Sequence, residues 1–240
     1  MSLKIIFEDE DLIVLDKNAG ITVNRSDTTG DEQTVQDLVA HKIKFDPSDE
    51  TDFLKRGGIV HRLDKETSGV LLVAKNKTAF ENIQKQFKDR SVKKEYIALA
   101  HGQVLPKVGE INVPVGRLPW NRKRFGVLAG GRESRTLYEV IEEVALEKEI
   151  LTLIKLNPMT GRTHQIRVHL KYMNRPIFGD FLYAGRKVSR NDRKILPRVF
   201  LHAAKISLVH PISGESLNFE SPLPIELKNT LNVLEFNYGR

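Results

Sequence analysis

"HRLDKETSGVLLVAK" (residues 61–75) joins two kinds of sequence that seldom meet without a chemical reason. Its first nine residues hold the carboxylates of Asp64 and Glu66, the basic or titratable groups of His61, Arg62 and Lys65, two hydroxyls and a glycine. The apolar run "VLLVA" follows at once and reads as a buried strand. A carboxylate at the lip of a hydrophobic sheet loses water, while a neighbouring guanidinium keeps it ionised. Asp64 is therefore a candidate nucleophile or base. The competing reading is an aspartate that caps local amides, with Thr67 and Ser68 doing the same.

Outward from this stretch, strands dominate. "KIIF" (4–7) and "LIVLD" (12–16) flank an acidic turn, "KKEYIALAHG" (93–102) has strand character, and "RTLYEVIEEV" (135–144) and "EILTLIKLNP" (149–158) invite antiparallel pairing through a short turn. "KISLVHP" and "SLNFESP" predict closing strands. Helical spacing predicts helices over 34–45, with Thr34 as cap, over 78–90, and over 163–174, with Gly161 giving a sharp entry and Thr163 as cap. Hairpin-like connections without regular strand–helix alternation indicate an α+β fold with a largely antiparallel sheet.

The 240 residues suit one domain or two closely fused lobes, and the expectation is a single domain over 1–240. There is no cysteine, which excludes disulfides and thiolate chemistry. No stretch approaches the roughly 18 apolar residues of a membrane helix. The acidic start "MSLKIIFEDED" offers no presequence, so a cytoplasmic location is expected. The 38 basic residues outnumber the 31 acidic by seven, and the excess is local. Segments 117–135 and 185–198 each carry six basic residues against one acid, leaving the remainder slightly acidic. Such placement suits loops that neutralise phosphates; the alternative is solvated surface.

Two further groups could carry chemistry. Arg162 stands just before the helical segment "THQIRVHLKYMN", where a planar fork could hold a carboxylate in one orientation. Tyr96 shares a strand face with Ala98 and Ala100, leaving space for a flat ligand. The seven histidines include no pair at metal-binding spacing, and GxGxxG, GxxxxGK[ST] and GxSxG are all missing.

"GGIVHRLDKETSGVLLVAKN" (57–76), "KKEYIALAHG" (93–102), "GRESRTLYEV" (131–140), "TGRTHQIRVHLKYMNRPIFGD" (160–180), "LHAAKISLVHP" (201–211) and "LNFESPLP" (217–224) follow one another along essentially the whole chain. In this series the sequence resembles the pseudouridine synthases of the RluA type. The resemblance implies an eight-stranded, mixed, mostly antiparallel sheet with a central cleft. It also implies isomerisation of uridine to pseudouridine in structured RNA, without cofactor or metal. Ribosomal RNA is the first expectation and transfer RNA the second, with no obligate protein partner. Asp64 matches the essential aspartate, Arg162 the basic residue paired with it, Tyr96 the tyrosine that stacks on the target base, and Arg62 a residue able to fill the space the base leaves. RNA contacts are expected from Arg117, Arg122, Lys123, Arg124 and Arg132, from His164 and Gln165, and from Arg186, Lys187 and Arg190. The sequence departs from the family at "KNAGITVN" (17–24), where Asn18 and Asn24 replace a proline and a histidine. The chain is expected to be the catalytic domain without the N-terminal S4-like RNA-binding module of many relatives. The rival readings are an RNA-binding module without catalysis and a carboxylate-dependent glycosylase.

Overall fold

The computed structural model describes residues 3–26, 29–45, 51–146 and 149–238. Along the chain these form β1 (Lys4–Glu8), β2 (Leu12–Lys17), α1 (Val35–Val39), α2 (Asp52–Lys55), β3 (Ser68–Ala74), α3 (Lys77–Lys88), β4 (Lys93–His101), β5 (Val108–Asn112), β6 (Val115–Arg117), β7 (Phe125–Val127), β8 (Arg135–Leu146), β9 (Glu149–Pro158), α4 (Gln165–Tyr172), α5 (Arg186–Asp192), β10 (Leu201–Val209), β11 (Ser216–Glu220) and α6 (Ile225–Val233). They fall into two compact units, Met1–Lys93 with Ala203–Pro222, and Lys94–His202 with Leu223–Arg240.

In the first unit the strand order is β1-β2-β3-β10, with β11 on β10. β1, β2 and β3 pair antiparallel, from Leu12 opposite Ala74 to Lys17 opposite Gly69. All seven residues of β3 are buried, as its unbroken apolar run predicts for a strand with neighbours on both sides. Gly69 opens β3 at φ 115°, and a Cβ there would lie 2.1 Å from the Ala203 carbonyl oxygen. Only glycine fits that conformation and that approach. Thr34 caps α1 through a reciprocal pair with Asp37, but the α-helix ends at Val39 and continues only as a 3-10 turn over Ala40–Lys42.

In the second unit the strand order is β4-β9-β8-β5. Tyr96 lies opposite Leu156 on β9, and Thr136 on β8 opposite Pro158. The turn expected between β8 and β9 falls on 147–148, outside the described residues. Among the described residues these orders take in nine strands, where eight were expected. The additional short strands β6 and β7 form a separate hairpin that leads into the first basic segment, with β7 inside it. The chain ends in α6 rather than in strands. Six consecutive residues of α4, Gln165 to Leu170, are buried, so this helix is embedded rather than laid on a surface by one stripe.

Candidate active site

The loop 61–67 is fixed from below by its own unit. Lys17, fully buried at the end of β2, donates to the carbonyls of Asn18 (2.8 Å), Ile21 (2.9 Å) and Lys65 (3.2 Å). The Gly20 amide donates to the same Lys65 carbonyl at 2.8 Å. An ammonium with three donors is suited to a site where several carbonyls converge. The Thr67 amide closes a turn on the Asp64 carbonyl at 3.0 Å, and Leu63 is buried beside it. His61 accepts the Leu72 amide of β3 at Nε2 (3.0 Å), and its ring lies 5.1 Å from that of Phe87 on α3. Asp64 is thus half-buried on a turn held at both flanks, and Arg62 is exposed. Thr67 Oγ1 is buried with no hydrogen-bond partner.

Tyr96 and Arg162 belong to the second unit. Tyr96 is half-buried and its face-mates Ala98 and Ala100 are fully buried. The strand carrying it is tied to the approach to Arg162: Lys94 Nζ donates to the Thr160 carbonyl (3.3 Å), and Asn157 Nδ2 to the Lys94 carbonyl (3.0 Å). Burial pushes the Lys94 ammonium down to about 8.

Arg162 is half-buried, with Nε donating to the Glu133 carbonyl at 3.2 Å. The segment turns into α4 at His164, whose φ of 57° is left-handed; neither Gly161 nor Thr163 does this, and Thr163 makes no cap. Gln165 closes the turn. Its Oε1 accepts from Thr160 Oγ1 (2.7 Å) and the Arg162 amide (3.0 Å), while its Nε2 donates to the Arg135 carbonyl and Thr136 Oγ1, both at 3.0 Å. Gln165 is therefore buried, with its amide group committed to partners inside the fold. His164 is half-buried, with Nδ1 2.8 Å from the Tyr183 hydroxyl. Within α4, Arg167 makes a buried bidentate pair with Asp180 (2.7 and 2.9 Å), and its guanidinium lies over Tyr183.

The two basic segments divide into structural and projecting charges. Arg122, Lys123 and Arg132 are exposed, as are Arg186, Lys187 and Arg190 on α5; Arg124 is half-buried. Arg117 is exposed but donates to the Arg122 carbonyl and lies over Phe125, and Arg135 pairs with Glu110. Arg193 donates to the Gly179 carbonyl, and Arg198 is buried beside Glu226. α5 is pinned at its end by His101, which lies between Glu149 (2.9 Å) and Asp192 (3.1 Å). Burial opposes a charge on His101, but its hydrogen bonds to these carboxylates prevail and hold its pKa above the usual imidazole range.

Among the described residues one group has metal-ligand character, Asp9, Asp11 and His210, whose ligand atoms lie within 4.8 Å of one another. Its hydrogen bonds account for it without an ion. His210 Nδ1 accepts the amides of Ile212 and Ser213, which places its proton on Nε2, facing Asp9 at 2.9 Å.

A sequence profile of RNA pseudouridylate synthases matches residues 11–172, a span that contains Asp64, Tyr96 and Arg162. The chain belongs to the RNA pseudouridylate synthase family. A ribosomal large subunit pseudouridine synthase D of Nitrosomonas europaea is 39% identical over 235 residues, 97% of this chain and 65% of that protein. The chain thus spans just under two thirds of that relative's length. An RNA pseudouridine synthase of Aquifex aeolicus is 40% identical over 237 residues, 97% of this chain and 73% of that protein. Among solved structures, human RNA pseudouridylate synthase domain containing 1 superimposes with a TM-score of 0.72 at 28% identity, covering 93% of this chain and 84% of that one. As in the family's expected fold, the strands pair mostly antiparallel and the helices flank them.

Lys17, Lys94 and the Thr136–Gln165–His169 network escaped the reading of the sequence. A lysine ending an apolar strand and a polar pair four residues apart on a helix were the available signals.

Proposed function

We propose that the chain isomerises uridine to pseudouridine in structured RNA, with Asp64 as the essential carboxylate. The observation that carries this is the Asp64 turn itself, an HRLDKETSG loop clamped by Lys17, Gly20 and His61 inside a family match. A carboxylate on so constrained a turn is pre-aimed, which is where proximity contributes most to a barrier.

The reaction breaks the N1–C1′ bond, turns the uracil and joins C5 to C1′, so atoms balance without any redox partner. Asp64 either attacks C1′ or removes the C2′ proton as uracil leaves. Arg162, fixed at its backbone by Gln165, orients that carboxylate. Tyr96 stacks on the extruded base, helps remove the C5 proton after rejoining, and leaves Arg62 to occupy the emptied stack. Extruding a nucleotide costs a few kcal/mol, which stacking and gap-filling offset. Exposed Arg122, Lys123, Arg132, Arg186, Lys187 and Arg190, with Arg124 and His164 at the margin, hold phosphates around the target.

Large-subunit ribosomal RNA is the substrate we favour, because that is what relatives such as the Nitrosomonas europaea protein are named for. The activity is accordingly placed in the cytoplasm. Pseudouridine mapping of total RNA from cells with and without the protein tests this. Loss of pseudouridine at one or a few ribosomal positions is expected. Loss confined to transfer RNA would move the substrate, and an unchanged map with release of free uracil would make the chain a glycosylase.

A further inference from the structure

The β6–β7 hairpin ends in "LPWNRKR" (118–124), where the chain's sole tryptophan, Trp120, is 75% exposed. An isolated exposed apolar side chain is ordinary. Trp120 differs in its company: Asn121, Arg122 and Lys123 all project into solvent beside it. A flat π surface ringed by cations is the chemistry that captures an unpaired nucleobase together with its phosphates.

The tip is also pre-shaped. Leu118 and Arg124 are joined by the Leu118 amide donating to the Arg124 carbonyl (3.0 Å), and Arg124 donates to the Asn121 carbonyl at 2.8 Å. Arg117 braces the loop by donating to the Arg122 carbonyl (2.9 Å) while its guanidinium lies 5.0 Å from the Phe125 ring centre. At the root, the Phe125 amide donates to the Tyr183 hydroxyl (3.1 Å), which lies 2.8 Å from His164 Nδ1. The Phe125 ring packs edge-on against His164, two residues after Arg162. The hairpin is thereby seated on the same turn that carries Arg162. A platform so held keeps its ring exposed at little ordering cost on binding.

We propose that Trp120 stacks on an unpaired base of the RNA substrate, beside phosphates neutralised by Arg122 and Lys123, and so helps select RNA with single-stranded nucleotides near the target. This rests on the RNA reading above. The two are separated by reading binding and isomerisation independently.

Because no other tryptophan contributes, selective excitation reports on Trp120 alone. The full chain is titrated with a stem–loop RNA bearing a uridine-containing loop, with the same RNA closed into continuous duplex, and with phosphatidylglycerol vesicles. Fluorescence anisotropy of labelled RNA runs in parallel. Stacking predicts quenching of Trp120 by the stem–loop at the concentrations that saturate anisotropy, and much less by the duplex. Trp120→Ala should weaken stem–loop binding on the order of 5- to 150-fold, with an unchanged dependence on salt, while Trp120→Phe keeps most of the affinity. Arg122→Ala with Lys123→Ala should instead flatten the salt dependence. The proposal is overturned if Trp120 emission is unchanged at saturating RNA, or if Trp120→Ala binds within about twofold of the parent. It is equally overturned if vesicles but not RNA alter the emission. Absence of any RNA binding would overturn the functional reading with it.

Discussion

Thr136 Oγ1 lies 3.0 Å from His169 Nδ1, a buried link between β8 and α4. Thr136 accepts from Gln165 Nε2, so its hydroxyl proton goes to His169, which in turn donates from Nε2 to the Val113 carbonyl at 3.3 Å. This relay is directional and requires a neutral imidazole. Burial pushes His169 down to about 4 in keeping with that. Since Gln165 also holds the Arg162 amide, the protonation of His169 bears on the turn before α4.

The sign of the resulting pH dependence is fixed. A histidine whose pKa is lower folded than unfolded contributes stability fully present above about 6.5, and lost as pH falls toward 4. The loss amounts to about 3 kcal/mol at the acid end. Urea denaturation at pH 7 and pH 4.5 should show the parent losing more stability than His169→Asn. His101 works in the opposite direction, its support fading as pH rises above the imidazole range.

Lys17→Met should leave the Asn18 and Ile21 carbonyls unpaired, at about 1–3 kcal/mol for each buried group, and take one of two donors from the Lys65 carbonyl, which keeps the Gly20 amide. Lys65 adjoins Asp64. Melting should shift down by several degrees, roughly 2–4 °C per kcal/mol for a chain of this size. Turnover measured well below the new midpoint should fall as well. An unchanged melting temperature would remove Lys17 from the support of this loop.

For Tyr96, ring and hydroxyl separate. Tyr96→Phe keeps the stacking surface beside Ala98 and Ala100 and should retain base capture, whereas Tyr96→Ala should lose roughly 1–3 kcal/mol of it. Single-turnover time courses on RNA with deuterium at C5 of the target show whether the phenylalanine variant stalls late. Equal rates for all three proteins would return Tyr96 to a packing role.

Arg162→Lys replaces a fork with a point charge while the backbone clamp from Gln165 remains. Losing one strong transition-state contact, about 3 kcal/mol, slows turnover on the order of a hundredfold. Rates at saturating protein should show that drop with RNA affinity preserved. A lysine variant as fast as the parent would leave Arg162 as a structural residue.

The strands that build the sheets were legible because their signals are local: an unbroken apolar run makes β3, and short runs of strand-forming residues mark β4, β8 and β9. Short elements were not. β6 and β7 have three residues each, and α5, "RKVSRND", is held by His101 against Asp192 and by Arg193 rather than by an apolar face. The entry to α4 was misread because glycine and threonine are the usual turn and cap residues, whereas His164 takes the left-handed conformation here. The burial of Gln165 was not legible, because helical spacing says which side chains share a face and not whether that face is buried. The motif marks the turn at Asp64, but the Lys17 clamp beneath it comes from 48 residues away in sequence, beyond any local pattern.

The central claim is that Asp64 carries the reaction, and the most direct measurement is pseudouridine formation by Asp64→Asn. The parent and variant, matched for melting temperature and for RNA affinity, are incubated to completion with protein-free large-subunit ribosomal RNA, and pseudouridine is counted by position. The account predicts complete target modification by the parent and none by Asp64→Asn, with RNA binding intact. Modification of the same uridines by folded Asp64→Asn would contradict it.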